Sequence, residues 1–273
     1  MSFPQPPLDS IGELFHRVNR ILPEDQEMAT VSPDTLATDA LNIMKKKGFS
    51  QIPVVQGKVV LGIFSYRSFS DRIRRMKSFN SSLGELPVEE FIEKPEFARG
   101  TSELNDILKW LERDGAVLVG DIDRLHGILT TVDILNYLYK LANPFVLIAE
   151  IELALRALIT RAVSDDQLAA FAKKTLSGIY KEGSIPTQVN EMTFNDYVQI
   201  IGYGDTWDYF KPGFGGTSHT VRTKLEDIRN LRNDIFHFKK EIIWDDHERL
   251  VEHREWILQR VTKSDALLKG ADL

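Results

Sequence analysis

Two short stretches of this 273-residue chain carry side chains whose types and spacing could do chemistry. The first reads Arg229-Asn230-Leu231-Arg232-Asn233-Asp234-Ile235-Phe236-His237. An imidazole can move a proton near neutral pH, a guanidinium can hold developing negative charge, and an amide can orient either one, so His237, Arg232 and Asn233 suit work at an anionic centre. At about 100° per residue, Asn233 and His237 share a helical face, with Arg229 one turn before and Lys240 three residues after. Arg232 lies about 140° away from His237, and a two-fold mate would complete the pocket that one helix cannot easily close. The plainer alternative makes His237 a boundary residue with a backbone partner and pairs Arg232 with Asp234 or Glu226.

The second stretch reads Gly127-Ile128-Leu129-Thr130-Thr131-Val132-Asp133. Where a strand turns into a helix, the first backbone N–H groups are unpaired and the dipole favours an anion, so Thr130 adds a hydroxyl where a phosphate would bind. Asp133, one turn deeper, can accept hydrogen bonds from two ribose hydroxyls. Any Thr-x-x-Asp can also simply cap its helix.

Both stretches need elements to hold them. Gly62-Ile63-Phe64-Ser65-Tyr66-Arg67-Ser68 echoes the second stretch, with its glycine 65 residues earlier. Upstream of each copy the order of elements repeats. In the first, Met28 to Val31 meets Ser32-Pro33-Asp34, and an amphipathic helix follows with Leu36, Ala40, Leu41 and Met44 on one side and Lys45-Lys46-Lys47-Gly48 as its stop. Strands are expected at Ile52 to Val55 and Val59 to Phe64. In the second, Glu96-Phe97-Ala98 leads to a helix with Leu104, Ile107, Leu108 and Leu111, then Gly115 to Val119, a turn at Asp121 to Asp123, and Leu125 to Leu129.

Two β-α-β-β-α units in register, with Ile52-Pro53-Val54-Val55 and the intact Gly127 to Asp133 signature, resemble a tandem pair of CBS domains, a Bateman module, over roughly the first half of the chain. The resemblance implies a regulatory ligand that is an adenosine compound, AMP, ADP, ATP or S-adenosylmethionine, with Thr130 on the phosphate and Asp133 on the ribose. Residues matching the adenine-facing positions are Ser50 and Ile52 in one copy and Ala116 in the other. Ser68 replaces the ribose-binding aspartate in the first copy, which weakens or removes a site there.

Beyond Asn143 the pattern is helical throughout. Pro144 suits a first helical turn, and Leu147, Ile151, Ala154, Leu155 and Leu158 recur at helical spacing. Further helices are expected at about 165–177, from the cap Thr193-Phe194-Asn195-Asp196, and over about 219–240 and 245–263, with a Gly- and aromatic-rich loop over 202–218. On the long helix Ile228, Leu231, Ile235, Phe238 and Ile242 would be buried. An Arg-Asn-x-x-x-His motif late in an all-helical domain resembles the HEPN superfamily, over about the second half of the chain. The resemblance implies a metal-independent endoribonuclease acting as a dimer, in which His237 transfers protons, Arg232 contacts transition-state charge and Asn233 orients them. Other members only bind nucleic acid or partners, and phage defence or toxin-like growth control are common settings.

Composition bounds these readings. The chain carries 34 Lys and Arg against 40 Asp and Glu, 17 and 20 on either side of Asn143, so neither part is a polycation and RNA could be held only locally. Positions 219 to 240 hold six basic and three acidic residues, which permits RNA without demanding it. Zero cysteines exclude disulfides, thiolate nucleophiles and cysteine-ligated metals, and fit a reducing compartment. The start, Met1 to Pro7, shows no secretory signal, and the apolar tract 144–159 is broken by Glu150, Glu152 and Arg156, so no membrane span is expected and the protein reads as cytoplasmic. Other clusters read more plainly. Gly213 to Ser218 reads as a connector capped by Thr217 or Ser218, Asp245-Asp246-His247 with His253 as an N-cap at Asp245 rather than a metal site, Arg72, Arg74, Arg75 and Lys77 as a solvated helix end, and Trp207, Tyr209 and Phe210 as loop packing.

The sequence therefore predicts an α+β chain, with a CBS pair over 1–143 (copies at about 28–78 and 88–142) and an all-α bundle over 144–273. It predicts a homodimeric, nucleotide-regulated ribonuclease that needs no cofactor or metal. The alternative is a non-enzymatic nucleotide-sensing module whose helical part binds RNA or a protein.

Overall fold

Each short motif of the first copy shapes the chain as its chemistry dictates. Gly48 adopts φ 71° and its N–H bonds the Met44 carbonyl, which stops the helix after three lysines. These elements belong to a computed structural model that describes residues 17–23, 26–75, 83–239 and 243–271, without the side chains of residue 83 and of 267–271. Met1 to Pro7, Lys77, Lys240 and Ile242 lie outside the described residues. The chain divides into two compact units, Met1–Tyr139 and Lys140–Leu273.

The first unit contains α1 (Val18–Ile21), α2 (Ala37–Lys47), β1 (Gln51–Gln56), β2 (Val59–Ser65), α3 (Tyr66–Arg75), β3 (Phe97–Ala98), α4 (Leu104–Asp114), β4 (Ala116–Asp121), β5 (Arg124–Thr130) and the start of α5 (Thr131–Ala162). The strands β1 and β2 pair antiparallel, as do β4 and β5, while β3 lies parallel to β4. Val31 bridges Val54 in parallel and so plays in the first copy the part of β3 in the second. The repeat is kept even in its irregularities: Gln51 faces Ser65 as Ala116 faces Thr130, and the register slips at Val54/Val55 and at Val119/Gly120. Fully buried Ile52, Val54 and Phe64 on one side, and Val117, Leu118 and Leu129 on the other, make near-continuous apolar strands covered on both faces.

The two copies complete each other's cores. Val18 and Ile21 pack with Ile107, Leu111, Val117 and Leu129 of the second copy. Val88 and Phe91, from a short 3-10 turn, pack with Ala40, Met44, Ile52 and Phe64 of the first. A third cluster of Val60, Ile63 and Leu118 joins the strands of both, and the Val60 N–H bonds the Ile122 carbonyl at 2.8 Å.

The second unit contains the rest of α5, α6 (Asp165–Leu176), α7 (Phe194–Gly202), α8 (Trp207–Phe214), α9 (Ser218–Phe236) and α10 (Trp244–Ala271) around one large apolar cluster. Thr193 and Asp196 form a reciprocal capping box at α7, and Thr217 caps α9 through the Thr220 N–H. Three expectations are corrected. Pro144 lies inside α5 rather than in a first turn. An interior proline costs about 3 kcal/mol, but Pro144 is buried and the helix beyond it buries Ile148, Ile151, Leu155 and Leu158. The aromatic loop over 202–218 holds a helix, α8, because Trp207, Phe210 and Phe214 fall on one side and enter the core. Helix α9 ends at Phe236, so Phe238 is 70% exposed rather than buried with Ile228, Leu231 and Ile235.

Candidate functional site

At the start of α5 the structure brings Thr130, Asp133 and Ala116 together. Ala116 is buried opposite Thr130 in the β4–β5 register. The Thr130 N–H donates to Asp133 Oδ2 at 2.8 Å, the Thr130 hydroxyl donates to the same oxygen at 2.6 Å, and the Asp133 N–H donates back to Thr130 Oγ1 at 3.3 Å. The pair thus caps the helix, and both hydroxyl and amide converge on a single carboxylate oxygen. Gly127 is required two residues before Leu129 because a Cβ there would stand 2.7 Å from the Leu22 side chain.

The first copy arranges the same positions differently. The Ser65 N–H donates to Ser68 Oγ and the Ser68 N–H to Ser65 Oγ, each at 2.9 Å, and both serines are buried. The Ser65 hydroxyl donates to Glu93 Oε2 at 3.0 Å. Arg67 binds the same carboxylate with Nε to Oε1 at 3.1 Å and Nη2 to Oε2 at 3.2 Å, and also reaches Asp114 at 3.5 Å. The hydrogen bond from Arg67 to Glu93 outweighs the effect of burial and raises the guanidinium pKa above its ordinary value. Ser50 is exposed and its carbonyl accepts the Tyr66 N–H, whereas Ile52 has 0% exposure and its side chain belongs to the core.

Glu93 and Gln26 carry no motif of their own, and Arg67 lies in the first signature at a position given no role there. Glu93 pairs with Ile63 through two backbone hydrogen bonds of 2.9 Å. The matching residue Ile128 is paired instead by a side chain: Gln26 Nε2 donates to its carbonyl at 2.7 Å and its N–H donates to Gln26 Oε1 at 2.9 Å. Leu22 meets Gly127 as Ile92 meets Gly62, so the next residue, Pro23, stands where Glu93 does. Proline has no N–H to offer, and the Gln26 amide supplies the donor and acceptor in its place.

In the helical unit Arg232, Asn233 and His237 sit at the C-terminal end of α9. Asn233 links the other two: its backbone carbonyl accepts the His237 N–H at 3.1 Å, and its Oδ1 accepts from Arg232 Nη1 at 3.3 Å. The Arg232 guanidinium lies 4.7 Å from the centre of the Phe236 ring, and its Nε is buried without a partner among the described residues. His237 is the C-cap and is exposed, one helical turn beyond Asn233, whose carbonyl takes its N–H. The chain leaves the helix directly after it. Lys239 N–H bonds the Asp234 carbonyl and Phe238 N–H the Ile235 carbonyl, a Schellman arrangement whose left-handed position is held by Phe238 at φ 50°. Among the described residues Phe238 is the only non-glycine with positive φ.

The acidic and histidine cluster at the start of α10 serves separate structural roles. Asp246, rather than Asp245, accepts from the Ile243 N–H at the helix start. His247 meets Asn143 at 2.5 Å and stacks on Trp244. Buried His253 bonds Asp227 through Nε2 at 2.7 Å, and Arg249 pairs with the same carboxylate. Burial pushes the Asp227 carboxyl up, but the His253 hydrogen bond and the Arg249 charge win and hold it below its ordinary value.

Comparison with known proteins bears on the first unit. No helix among the described residues is long and apolar enough to cross a membrane. No curated protein matches the chain. Among solved structures it is similar to a CBS-domain containing protein from Agrobacterium tumefaciens, with 19% identity over 50% of this chain and 98% of that one and a TM-score of 0.41. It is similar to a CBS domain-containing protein from Bacillus anthracis, with 21% identity over 47% and 98% and a TM-score of 0.41. The structure of CBSX2 in complex with AMP matches at 20% identity over 46% and 97%, with a TM-score of 0.39. The family model for the CBS domain matches residues 10–75, and the first unit of the chain therefore carries a CBS domain.

Proposed function

We propose that the chain is a nucleotide-regulated endoribonuclease, in which the junction of Thr130 and Asp133 holds an adenosine nucleotide and Arg232, Asn233 and His237 cleave RNA. The observation that carries the cleaving half is that the Arg232 guanidinium and the Asn233 amide are held together at the end of α9, beside an exposed His237. Asn233 Oδ1 accepts from Arg232, its carbonyl accepts the His237 N–H, and the left-handed Phe238 ends the helix directly after His237. Backbone strain held by a non-glycine residue beside a chemically competent histidine supports a functional reading. In the reaction a 2′-hydroxyl attacks the adjacent phosphorus, its proton passes to an imidazole, the 5′-oxygen leaves with a proton, and Arg232 meets the charge on the phosphorane. One imidazole cannot readily serve both faces of one phosphate, so a second copy of the chain supplies the other.

For the nucleotide half, the resemblance to CBS pairs supplies the ligand class, and the helix start at Thr130 supplies the anion site. The Arg232 contact with Phe236 favours a second reading, in which the helical unit only binds RNA or a protein and the arginine is a packed recognition group.

Incubating the full chain with labelled single-stranded RNA in EDTA separates the two. The enzyme reading expects cleavage that His237→Ala lowers by about 100-fold or more with an unchanged melting temperature, since the side chain is exposed. Intact RNA in the presence of AMP, ATP and S-adenosylmethionine in turn supports the binding reading. Calorimetry with the same ligands tests the sensor, with heat expected from the chain and none from Asp133→Ala.

A further inference from the structure

We infer that the first copy is closed to nucleotide by the chain's own carboxylate: Glu93, clamped by Arg67, takes the Ser65 hydroxyl that a ligand phosphate would need. The inference rests on the reading that the second copy binds a nucleotide at Thr130, and extends it to the matching position one repeat earlier.

The geometry of the two junctions differs in one respect that decides the matter. Both place a hydroxyl against a carboxylate, Thr130 on Asp133 at 2.6 Å and Ser65 on Glu93 at 3.0 Å. At the second copy both bonds fall on Oδ2 of a residue on the helix itself, and Oδ1 takes neither. At the first copy the carboxylate comes from a distant segment and both of its oxygens are engaged, by the fork of Arg67 and by Ser65. Asp133 also sets a negative charge against Thr130, but it is held there only by that junction and on the ribose reading turns to the ligand's hydroxyls. Glu93 is instead locked on Ser65 by the fork of Arg67, a guanidinium that also reaches Asp114. In the second copy the residue at the matching place is Pro23, which brings no charge.

The closure is reversible by substitution. Glu93 holds its place in the fold by backbone hydrogen bonds to Ile63, which a side-chain change leaves intact. The ionic contact is partly exposed, with 42% and 27% of the Arg67 and Glu93 side chains accessible, so its loss removes little stability. Glu93→Gln therefore uncovers Ser65 and Arg67 as a site for an adenosine phosphate.

The experiment is calorimetric titration of the full chain with AMP. The wild type should bind one AMP per chain, Asp133→Ala none, Glu93→Gln two, and the double variant Asp133→Ala/Glu93→Gln one, through the first copy alone. Adding Arg67→Met to the double variant should abolish that gain. Glu93→Ala repeats the test should the glutamine amide itself block the hydroxyl, and circular dichroism confirms the fold. One AMP on the wild type and still one on both Glu93 variants would overturn the closure and leave the second-copy site standing. No AMP on the wild type but one on Glu93→Gln would remove the second-copy reading and leave the closure standing. No AMP on any variant would remove both.

Discussion

The junction at Thr130 and the motif around His237 are assembled by opposite means. The first depends on partners far away in sequence: the strand that delivers Thr130 is held at Ile128 by Gln26, 102 residues earlier. The second is assembled within one helix end, from Arg232 to Phe238, by hydrogen bonds between near neighbours. The helix ends differ in sign as well. A helix start offers unpaired N–H groups to an anion, whereas a helix end offers carbonyls, so any anion at the second place would have to be met by side chains such as Arg232. A site made by long-range pairing inherits the stability of its whole unit, while a local one can be retuned by a single residue.

The comparison breaks first at Gln26. Gln26→Ala leaves the Ile128 N–H and carbonyl unpaired in a partly buried place, and should lower the stability of the first unit by about 1–3 kcal/mol. On the proposed function, AMP affinity should fall with it while any RNA cleavage by the helical unit is kept. An unchanged melting curve would show that the strand needs no such partner. A smaller effect of opposite sign is expected at Phe238. Phe238→Gly relieves a left-handed side chain and should raise stability by about 1 kcal/mol, read as a higher melting temperature. A lower melting temperature would show that the turn carries no strain.

The smallest effect is the pH dependence of the helical unit. The Asp227 carboxyl is held below its ordinary value in the folded state, so it stabilises above that ordinary value, and the contribution disappears as pH falls through the folded one. Melting curves taken across the acid range should show this loss in the wild type and a flatter limb in Asp227→Asn. Salt should weaken it, because the pair with Arg249 is partly exposed.

How much could be read from the sequence follows the same division. The repeat spacing located both junctions, and the cap Thr193 with Asp196 formed where residue types demanded it. Arg232, Asn233 and His237 could be singled out because they are contiguous, although the end of the helix at Phe236 could not. That end uses Phe238 where glycine or asparagine would have announced it. Glu93, Arg67 and Gln26 were illegible because their roles arise only when segments exchanged between copies meet. Helix α8 was missed for a related reason: Gly213, Pro212 and Gly215 read as a loop, and burial of Trp207, Phe210 and Phe214 overrode them.

The exchange of lead-in segments bears on how the chain is born. Val18 and Ile21 leave the ribosome roughly a hundred positions before their packing partners Val117 and Leu129, on the order of ten seconds at ordinary rates of synthesis. The first copy likewise waits for Val88 and Phe91 before its own core is closed. Early apolar residues therefore spend that interval without their native cover, and neither copy can serve as a finished template for the other. Release of the complete first unit, rather than of either repeat, is the earliest moment at which the Thr130 junction is fully formed.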